Sequence, residues 1–152
     1  MKIFFEHVMR AELHDLSPDR LLERVRHFAE SPEDFWSELQ GSEILEEAED
    51  IETGVWRFKR VLHYGRGLHF VERGEFCATN RELRTFVEME GASSAFALRI
   101  EEHSSKSLAV RFSYWETPRA ESLDPNQPFV DELRRQAYAM RDEAIMKKLV
   151  EA

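Results

Sequence analysis

VWRFKRVLHYGRGLHFVERGEFCA, residues 55–78, alternates large apolar and polar residues on both sides of a short glycine-rich segment. A period of two is typical of β-strands that bury one face. The segment Gly65-Arg66-Gly67 predicts a three-residue hairpin loop, in which Gly67 supplies a positive φ and Tyr64 pairs with Leu68. This register places two apolar sets on one face, namely Trp56, Phe58, Leu62 and Tyr64 before the loop and Leu68, Phe70, Phe76 and Ala78 after it.

The same alternation continues outward from the hairpin, between Ser42 and Thr117. Turn signals divide this region into six strands, at Glu52-Thr53-Gly54, Gly65-Arg66-Gly67, Thr79-Asn80, Gly91-Ala92-Ser93 and Ser104-Ser105-Lys106. The Thr79-Asn80 loop brings Leu83, Thr85, Val87 and Met89 onto the same apolar face. The Ser104-Ser105-Lys106 loop aligns a further apolar set, Phe96, Leu98 and Ile100, with Leu108, Val110, Phe112 and Tyr114 on the next strand. The residues that point to the opposite face are mostly charged, so we expect one aromatic, buried face and one solvent-exposed face.

The N-terminal region predicts one strand and two helices. Alternation from Ile3 to Leu13 indicates a half-buried strand with His7 on its apolar side. Ser17-Pro18-Asp19 is a helix start, with a capping hydroxyl, proline at the first helical position and an acid near the positive end of the dipole. Ser31-Pro32-Glu33-Asp34 repeats the signal and predicts a second, shorter helix that carries Phe35, Trp36 and Leu39 and ends near Gln40-Gly41.

The C-terminal region, Phe129 to Glu151, predicts one long amphipathic helix with Leu133, Ala137, Met140 and Ala144 on its buried side. The element order is therefore β-α-α-β6-α. This order indicates an α+β fold, a curved seven-stranded antiparallel sheet around a long C-terminal helix. Because no repeat, linker or low-complexity segment interrupts the chain, we expect residues 1–152 to form a single domain.

Composition limits the partners and the compartment. The formal net charge of −9 repels phosphate backbones and anionic membranes, so we expect no nucleic-acid partner. The single cysteine, Cys77, excludes an internal disulfide framework and fits a reducing compartment. The N-terminus reaches Glu6 and His7 without the apolar core of a secretion signal, and no stretch approaches the roughly 20 apolar residues of a membrane span. We therefore expect a cytoplasmic protein with no membrane insertion.

Three short segments resemble one known family. They are Phe5-Glu6-His7-Val8, Val110-Arg111-Phe112-Ser113-Tyr114 and Gln136-Ala137-Tyr138. With the element order, they resemble the START-like (SRPBCC, Bet v 1-like) helix-grip superfamily, and within it the poorly characterised AtaL-like group. The resemblance implies a cavity between the sheet and the long helix, in which relatives bind lipids, sterols, plant hormones or polyketides. Some relatives are aromatase/cyclases and others are carriers or chaperone activators. The group provides no established catalytic residues for transfer to this chain.

The predicted register places a charged pair, Arg60 opposite Glu72, on the apolar face. If the pair is buried, it either stabilises the structure or orients a polar ligand group. If it lies at the rim, both side chains extend to water. His7 shares the apolar face with Phe5 and Met9, where its imidazole could donate to a ligand carbonyl, act in acid–base chemistry or satisfy a neighbouring backbone group.

The histidines do not indicate a metal site. The hairpin register places His63 opposite His69, but on the outward parity and without an evident third ligand. We therefore expect an exposed cross-strand pair, no bound metal and no cofactor.

The aromatic face predicts a small-molecule binding protein for a hydrophobic or aromatic ligand, and the resemblance implies that this ligand is lipid-like or polyketide-like. Two alternatives stay open: a cyclase, dehydratase or hydrolase type of enzyme, and a non-catalytic interaction domain, including a homodimer. The predicted ligand-binding residues are His7, Trp56, Phe58, Arg60, Phe70, Glu72, Phe76, Phe96, Phe112, Tyr114, Tyr138 and Met140.

Overall fold

A computed structural model describes residues 1–12, 16–89, 92–104, 106–117 and 125–151. Seven antiparallel strands form one sheet, in the spatial order β1-β7-β6-β5-β4-β3-β2. They are β1 (Lys2–Glu12), β2 (Leu39–Asp50), β3 (Val55–Tyr64), β4 (His69–Cys77), β5 (Glu82–Met89), β6 (Ala92–Ser104) and β7 (Ser107–Glu116). The helices are α1 (Pro18–Glu30) and α2 (Gln127–Leu149). The predicted α+β helix-grip fold, with its seven-stranded sheet and long C-terminal helix, is confirmed.

The strand register agrees with the sequence prediction across the hairpins. Arg60 lies opposite Glu72 and His63 opposite His69 in the β3–β4 pair. The β4–β5 and β6–β7 pairs place Phe76 opposite Leu83 and Phe96 opposite Tyr114. The loop at residues 65–67 is a single 3-10 turn in which Arg66 as well as Gly67 has a positive φ, 63° and 73°. Leu13, Gly91 and Ser105, which the sequence placed at element ends, lie outside the described residues.

Gly74 of β4 shapes the inner face of the sheet. A Cβ at this position would lie 2.0 Å from the tip of the Phe58 ring, because Phe58 lies directly over the backbone of β4. The absence of a side chain at Gly74 thus lets a large ring occupy the space that a residue on β4 would fill. Register shifts in β1, β2 and β6 interrupt the ladder at other points, and such bulges increase local twist and curvature.

α1 begins and ends as the sequence predicts. The Ser17 side chain accepts a hydrogen bond from the Arg20 backbone N–H at 3.1 Å, and Pro18 is the first helical residue. The second predicted helix is much shorter than expected: it is one 3-10 turn, Pro32–Asp34. Turn hydrogen bonds continue from the Trp36 N–H to the Pro32 carbonyl and from the Leu39 N–H to the Trp36 carbonyl, and β2 begins at Leu39. Phe35 is nevertheless buried, and its ring packs edge-on against Phe28 of α1.

The predicted buried side of α2 is wrong. Leu133 and Met140 are 48% and 71% exposed, and Ala137 and Ala144 are exposed as well. The buried stripe is instead Asp142, Ile145, Met146 and Leu149, which packs in the core with α1. Both stripes have helical spacing, and the correct one contains a carboxylate that a hydrophobicity pattern assigns to solvent. None of the described helices combines the length and the apolar composition that a bilayer-spanning segment requires.

Candidate functional site

A cavity of about 260 Å³ lies between the sheet and the middle of α2. A compartment of about 80 Å³ continues it towards α1 and Phe28. Both are bordered by the same central side chains, so they form one continuous space. These shared residues are Leu62, Tyr64, Glu72, Thr85, Phe96 and Arg141. Aromatic rings make up much of the remaining wall, from Phe4, Phe70, Tyr114, Trp115, Tyr138 and Trp36.

Six of the residues predicted to bind ligand line this space, namely Arg60, Phe70, Glu72, Phe96, Tyr114 and Tyr138. The other predicted aromatic residues lie in the packed core. Trp56 and Phe76 are under 4% exposed and lie beneath the guanidinium of Arg26 from α1. Phe112 is fully buried against His7 and Phe96, and Phe58 packs over Gly74.

Met140 is outside the cavity, which corrects its placement in the predicted site. Its side chain is 71% exposed on the outer face of α2. Tyr138, two residues earlier, points inward and stacks on Tyr114 with the ring centroids 4.3 Å apart. Residues two apart on a helix lie on nearly opposite faces, so Tyr138 and Met140 cannot both reach the cavity.

Arg60 and Glu72 form a buried pair, which decides between the two locations that the sequence left open. The side chains of Arg60 and Glu72 are 4% and 11% exposed. Arg60 Nε donates to Glu72 Oε1 at 2.8 Å, and Nη2 donates to the same oxygen. Arg60 Nη1 also donates to the backbone carbonyl of Ala29. The arginine therefore joins the end of α1 to β3 and β4, so its hydrogen bonds are mainly structural.

A second polar cluster, around Asp142, was not predicted from the sequence. The Asp142 side chain is fully buried, and Tyr114 donates its hydroxyl hydrogen to Asp142 Oδ1. Arg141 Nη2 donates to the Tyr114 oxygen at 2.6 Å. His7 Nε2 lies 3.0 Å from Asp142 Oδ2, but the two groups are not aligned for a hydrogen bond. His7, which the sequence placed in the ligand site, lines neither compartment of the cavity and instead faces the Asp142 carboxylate of α2.

Burial changes the acidity of this cluster. Removal from water raises the pKa of Asp142 to about 7, although the Tyr114 hydroxyl and the Arg141 charge both act to lower it. Burial also raises the pKa of Tyr114 and lowers the pKa of His7. The Asp142 carboxyl is therefore partly protonated near neutral pH, which is the range in which a carboxyl can both give and take a proton.

The sequence does contain a signal for this cluster. Tyr138, Asp142, Ile145 and Leu149 recur at spacings of four, three and four residues, which is one face of a helix. An aspartate within an otherwise apolar stripe indicates a buried, functional or structural carboxylate. The competing stripe through Leu133 and Met140 has no charged member and therefore looks more hydrophobic.

A larger groove of about 660 Å³, mainly on the outer face of the sheet, is lined in part by Arg57, Arg73, Arg84 and Phe86. It shares Thr85, Ala95, Phe96 and Trp115 with the lining of the cavity. Because the buried Arg60–Glu72 pair lines the cavity and not the groove, the cavity is the better candidate site. Within the described residues, no three His, Cys, Asp or Glu side chains are close enough to hold a metal ion. His63 and His69 are both exposed.

Comparisons with known proteins agree with this geometry. The profile of the family described as "AtaL: Acetylaranotin biosynthesis cluster protein L" matches residues 9–151. No curated protein matches the sequence significantly.

Several solved structures share the fold. The di-domain aromatase/cyclase BexL superposes with a TM-score of 0.64 at 17% identity, covering 95% of this chain but only 45% of that one. The Zhui aromatase/cyclase of a Streptomyces species gives 0.63 at 13% identity, covering 95% of this chain and 92% of that one. A START superfamily protein of Mycobacterium smegmatis gives 0.57 at 13% identity, covering 95% and 96%. At these identities the structural likeness establishes the fold alone, whereas the profile match over nearly the whole sequence establishes that the chain belongs to the AtaL family, within the START-like helix-grip superfamily.

Proposed function

We propose that this protein binds a small hydrophobic or aromatic molecule, polyketide-like or lipid-like, in the cavity between the sheet and α2. The observation that carries the proposal is the wall of that cavity, which combines aromatic rings from five strands and α2 with a few polar groups. Ligand pockets typically have this composition, because apolar surface supplies affinity and a few polar groups supply orientation. Two of the solved structures that share the fold are aromatase/cyclases, which supports a polycyclic aromatic ligand.

The size of the cavity favours a compact ring system. About 260 Å³ lies just below the usual range for ligand pockets, roughly 300–1,000 Å³. Phe96, Tyr114 and Tyr138 present ring faces and edges, against which a planar ligand can stack. A long flexible chain would lose more conformational freedom on entering so short a space.

Native mass spectrometry of protein purified from its own host tests the proposal directly. We expect a retained small molecule, and its mass identifies the ligand class. The variant Val87→Trp places a large side chain in the cavity wall and should abolish retention. Val71→Trp is the matched control on β4, because Val71 is 45% exposed on the opposite face of the sheet. Equal ligand retention by both variants, or no ligand on the wild type and no binding of added polycyclic aromatics, would contradict the proposal.

One observation favours an acid–base enzyme as a second candidate function. Tyr114 lines the cavity and donates its hydroxyl hydrogen to Asp142, which lies behind the cavity wall and has a pKa near 7. Cyclases and dehydratases move protons at carbonyl groups and need such a carboxyl close to neutral pH. The recovered ligand separates the two functions: a change in its mass or its absorption spectrum during incubation with wild type, but not with Asp142→Asn, supports catalysis over simple binding.

A further inference from the structure

Arg141 is the cationic side chain at the centre of the cavity. It borders both compartments, and its guanidinium carbon lies within 6 Å of four aromatic ring centroids, at 5.3 Å from Trp36, 5.8 Å from Phe96, 5.1 Å from Tyr114 and 5.2 Å from Tyr138. These rings hold the guanidinium in place through cation–π contacts. Arg141 is thus an ordered cation in an aromatic enclosure, where a ligand ring would lie beside it.

The hydrogen-bonding capacity of Arg141 is mostly unused. A guanidinium has five N–H donors, and the described residues accept from one of its nitrogens, through Tyr114. Its Nε is buried without an acceptor in the described part of the chain, and the nearest carboxylate oxygen, Asp142 Oδ1, is 3.9 Å away. Burying a cation with so few partners is costly unless another group supplies the missing acceptors.

The carboxylates on the cavity wall do not supply them. Glu72 accepts two hydrogen bonds from Arg60, and Glu116 accepts from Arg134. Each of these acids therefore has its own arginine, and Arg141 is left with Asp142 as its nearest counter-charge. Because burial keeps Asp142 partly protonated near pH 7, the local charge around Arg141 is positive for much of the time.

We propose that Arg141 is the anchor for an anionic oxygen of the ligand, so that the cavity takes planar aromatic acids, with a carboxylate or an ionised phenol or enol directed at the guanidinium. This inference rests on the proposed function, because it names the ligand class for the same cavity. The guanidinium fork matches two acceptor oxygens, and the surrounding rings shield most of the side chain from water, leaving 23% of it exposed. The net charge of −9 opposes a bound anion only weakly, because salt screens the charges that lie more than about 8–10 Å from it.

The anchor couples ligand binding to the protonation of Asp142. Four titratable groups face this carboxyl among the described residues: His7 on β1, Tyr114 on β7, and Arg141 and Glu143 on α2. A bound anion repels an ionised Asp142 and favours its protonated form. The affinity for an anion should therefore fall as pH rises through about 7, whereas the affinity for a neutral ligand of the same shape should not.

A matched pair of fluorescent probes tests the anchor. The anionic probe is 1-anilinonaphthalene-8-sulfonate and the neutral probe is N-phenyl-1-naphthylamine, which has the same rings without the sulfonate. The sulfonate stays ionised across the working range, so any pH dependence reports on the protein. We expect the wild type to bind the anionic probe roughly 10-fold more tightly, which is the usual scale of a charged hydrogen bond. Arg141→Gln should remove that preference and change the affinity for the neutral probe by less than about threefold.

Three further variants serve as controls for Arg141→Gln. Arg135→Gln removes one positive charge from α2 at a residue that does not itself line the cavity, and it should retain the preference. Arg141→Lys keeps the charge without the fork and decides the question if Arg141→Gln does not fold. Asp142→Asn should remove the decline in anionic-probe affinity between pH 6 and pH 8, which we expect to be roughly 3- to 10-fold in the wild type.

The possible failures are distinguishable. The anchor is overturned if the wild type binds both probes equally, or if the anionic preference survives in Arg141→Gln. If Arg141→Gln does not fold, an Arg141→Lys variant with the wild-type preference overturns it instead. In each case the cavity remains a binding site for neutral ligands. Failure of both probes to bind the wild type overturns the proposed function and the anchor with it.

Discussion

Two arginines on the cavity wall, Arg60 and Arg141, are in contrasting environments. The Arg60 side chain is 4% exposed, whereas the Arg141 side chain is 23% exposed. Arg60 has a dedicated carboxylate and a backbone carbonyl as acceptors. Arg141 has one hydroxyl acceptor, four aromatic rings and a carboxyl whose pKa lies near 7. A fully paired charge stabilises a fold without needing a ligand, whereas a poorly paired one lowers stability and is available for binding. The contrast therefore distinguishes an arginine with structural partners from one that is available to the anionic ligand we propose, within the same cavity wall.

The largest expected effect is the loss of stability when Arg60, the fully paired arginine, is removed. Arg60→Ala leaves Glu72 buried without its cation and should lower the free energy of unfolding by roughly 3–5 kcal/mol. Urea unfolding followed by circular dichroism measures the change. Replacing both residues, Arg60→Met with Glu72→Leu, should recover most of the loss, because an apolar pair of similar volume avoids the desolvation of two charges.

Arg57→Ala is the matched control for that experiment. Arg57 lies on the opposite face of β3, and its pair with Glu75 has side chains that are 63% and 46% exposed. Removing such an exposed pair should cost about 1 kcal/mol or less. A similar loss for Arg57→Ala and Arg60→Ala would show that the Arg60–Glu72 pair is not distinguished by burial.

The next effect concerns the pH dependence of stability. The folded protein holds a proton on Asp142 up to about pH 7, whereas an unfolded aspartate releases it near 3.8. Between these values the folded state binds more protons, so the Asp142 contribution to stability is complete below the unfolded pKa and is lost as pH rises towards 7. We expect the free energy of unfolding of the wild type to fall by roughly 2–4 kcal/mol across this window, and we expect Asp142→Asn to abolish that fall.

Unfolding titrations of wild type and Asp142→Asn at several pH values measure this difference. His7 acts with the opposite sign: because its folded pKa is lowered from 6.5, its contribution to stability is lost as pH falls. His7→Gln is therefore the control that separates the two slopes. Parallel stability curves for wild type and Asp142→Asn from pH 4 to pH 7 would mean that Asp142 titrates normally in the folded protein.

The smallest expected effect is that of Tyr114→Phe. This change removes the hydroxyl that donates to Asp142 and accepts from Arg141, while the ring and its stacking on Tyr138 remain. Loss of the hydroxyl should lower stability by about 1–2 kcal/mol and raise the pKa of Asp142 further, because Tyr114 favours its ionised form. Thermal and urea unfolding measure the first change, and the midpoint of the stability-against-pH curve measures the second. A variant as stable as wild type, with the same midpoint, would show that the Tyr114 hydroxyl does not stabilise the ionised Asp142.

Much of this protein follows from local pattern alone. Alternation along residues 55–78 and the short loop at Gly65-Arg66-Gly67 determine which residues of β3 and β4 face inward, because a strand has a period of two and a loop of known length sets the register. The pairing of Arg60 with Glu72 is a direct consequence. The start of α1 was equally predictable, since Ser17 and Pro18 act on their immediate neighbours.

Other features depend on contacts between segments that are distant in the chain. The sequence allows two buried faces for α2, and only packing against β1, β7 and α1 selects the one that contains Asp142. The same packing brings His7 and Tyr114, which are 107 residues apart in the chain, to the same carboxyl. Local hydrophobic pattern therefore determined the sheet, its register and its inner face. The tertiary structure alone decided the orientation of α2, because that choice depends on the free energy of burying Asp142 among partners that no local pattern contains.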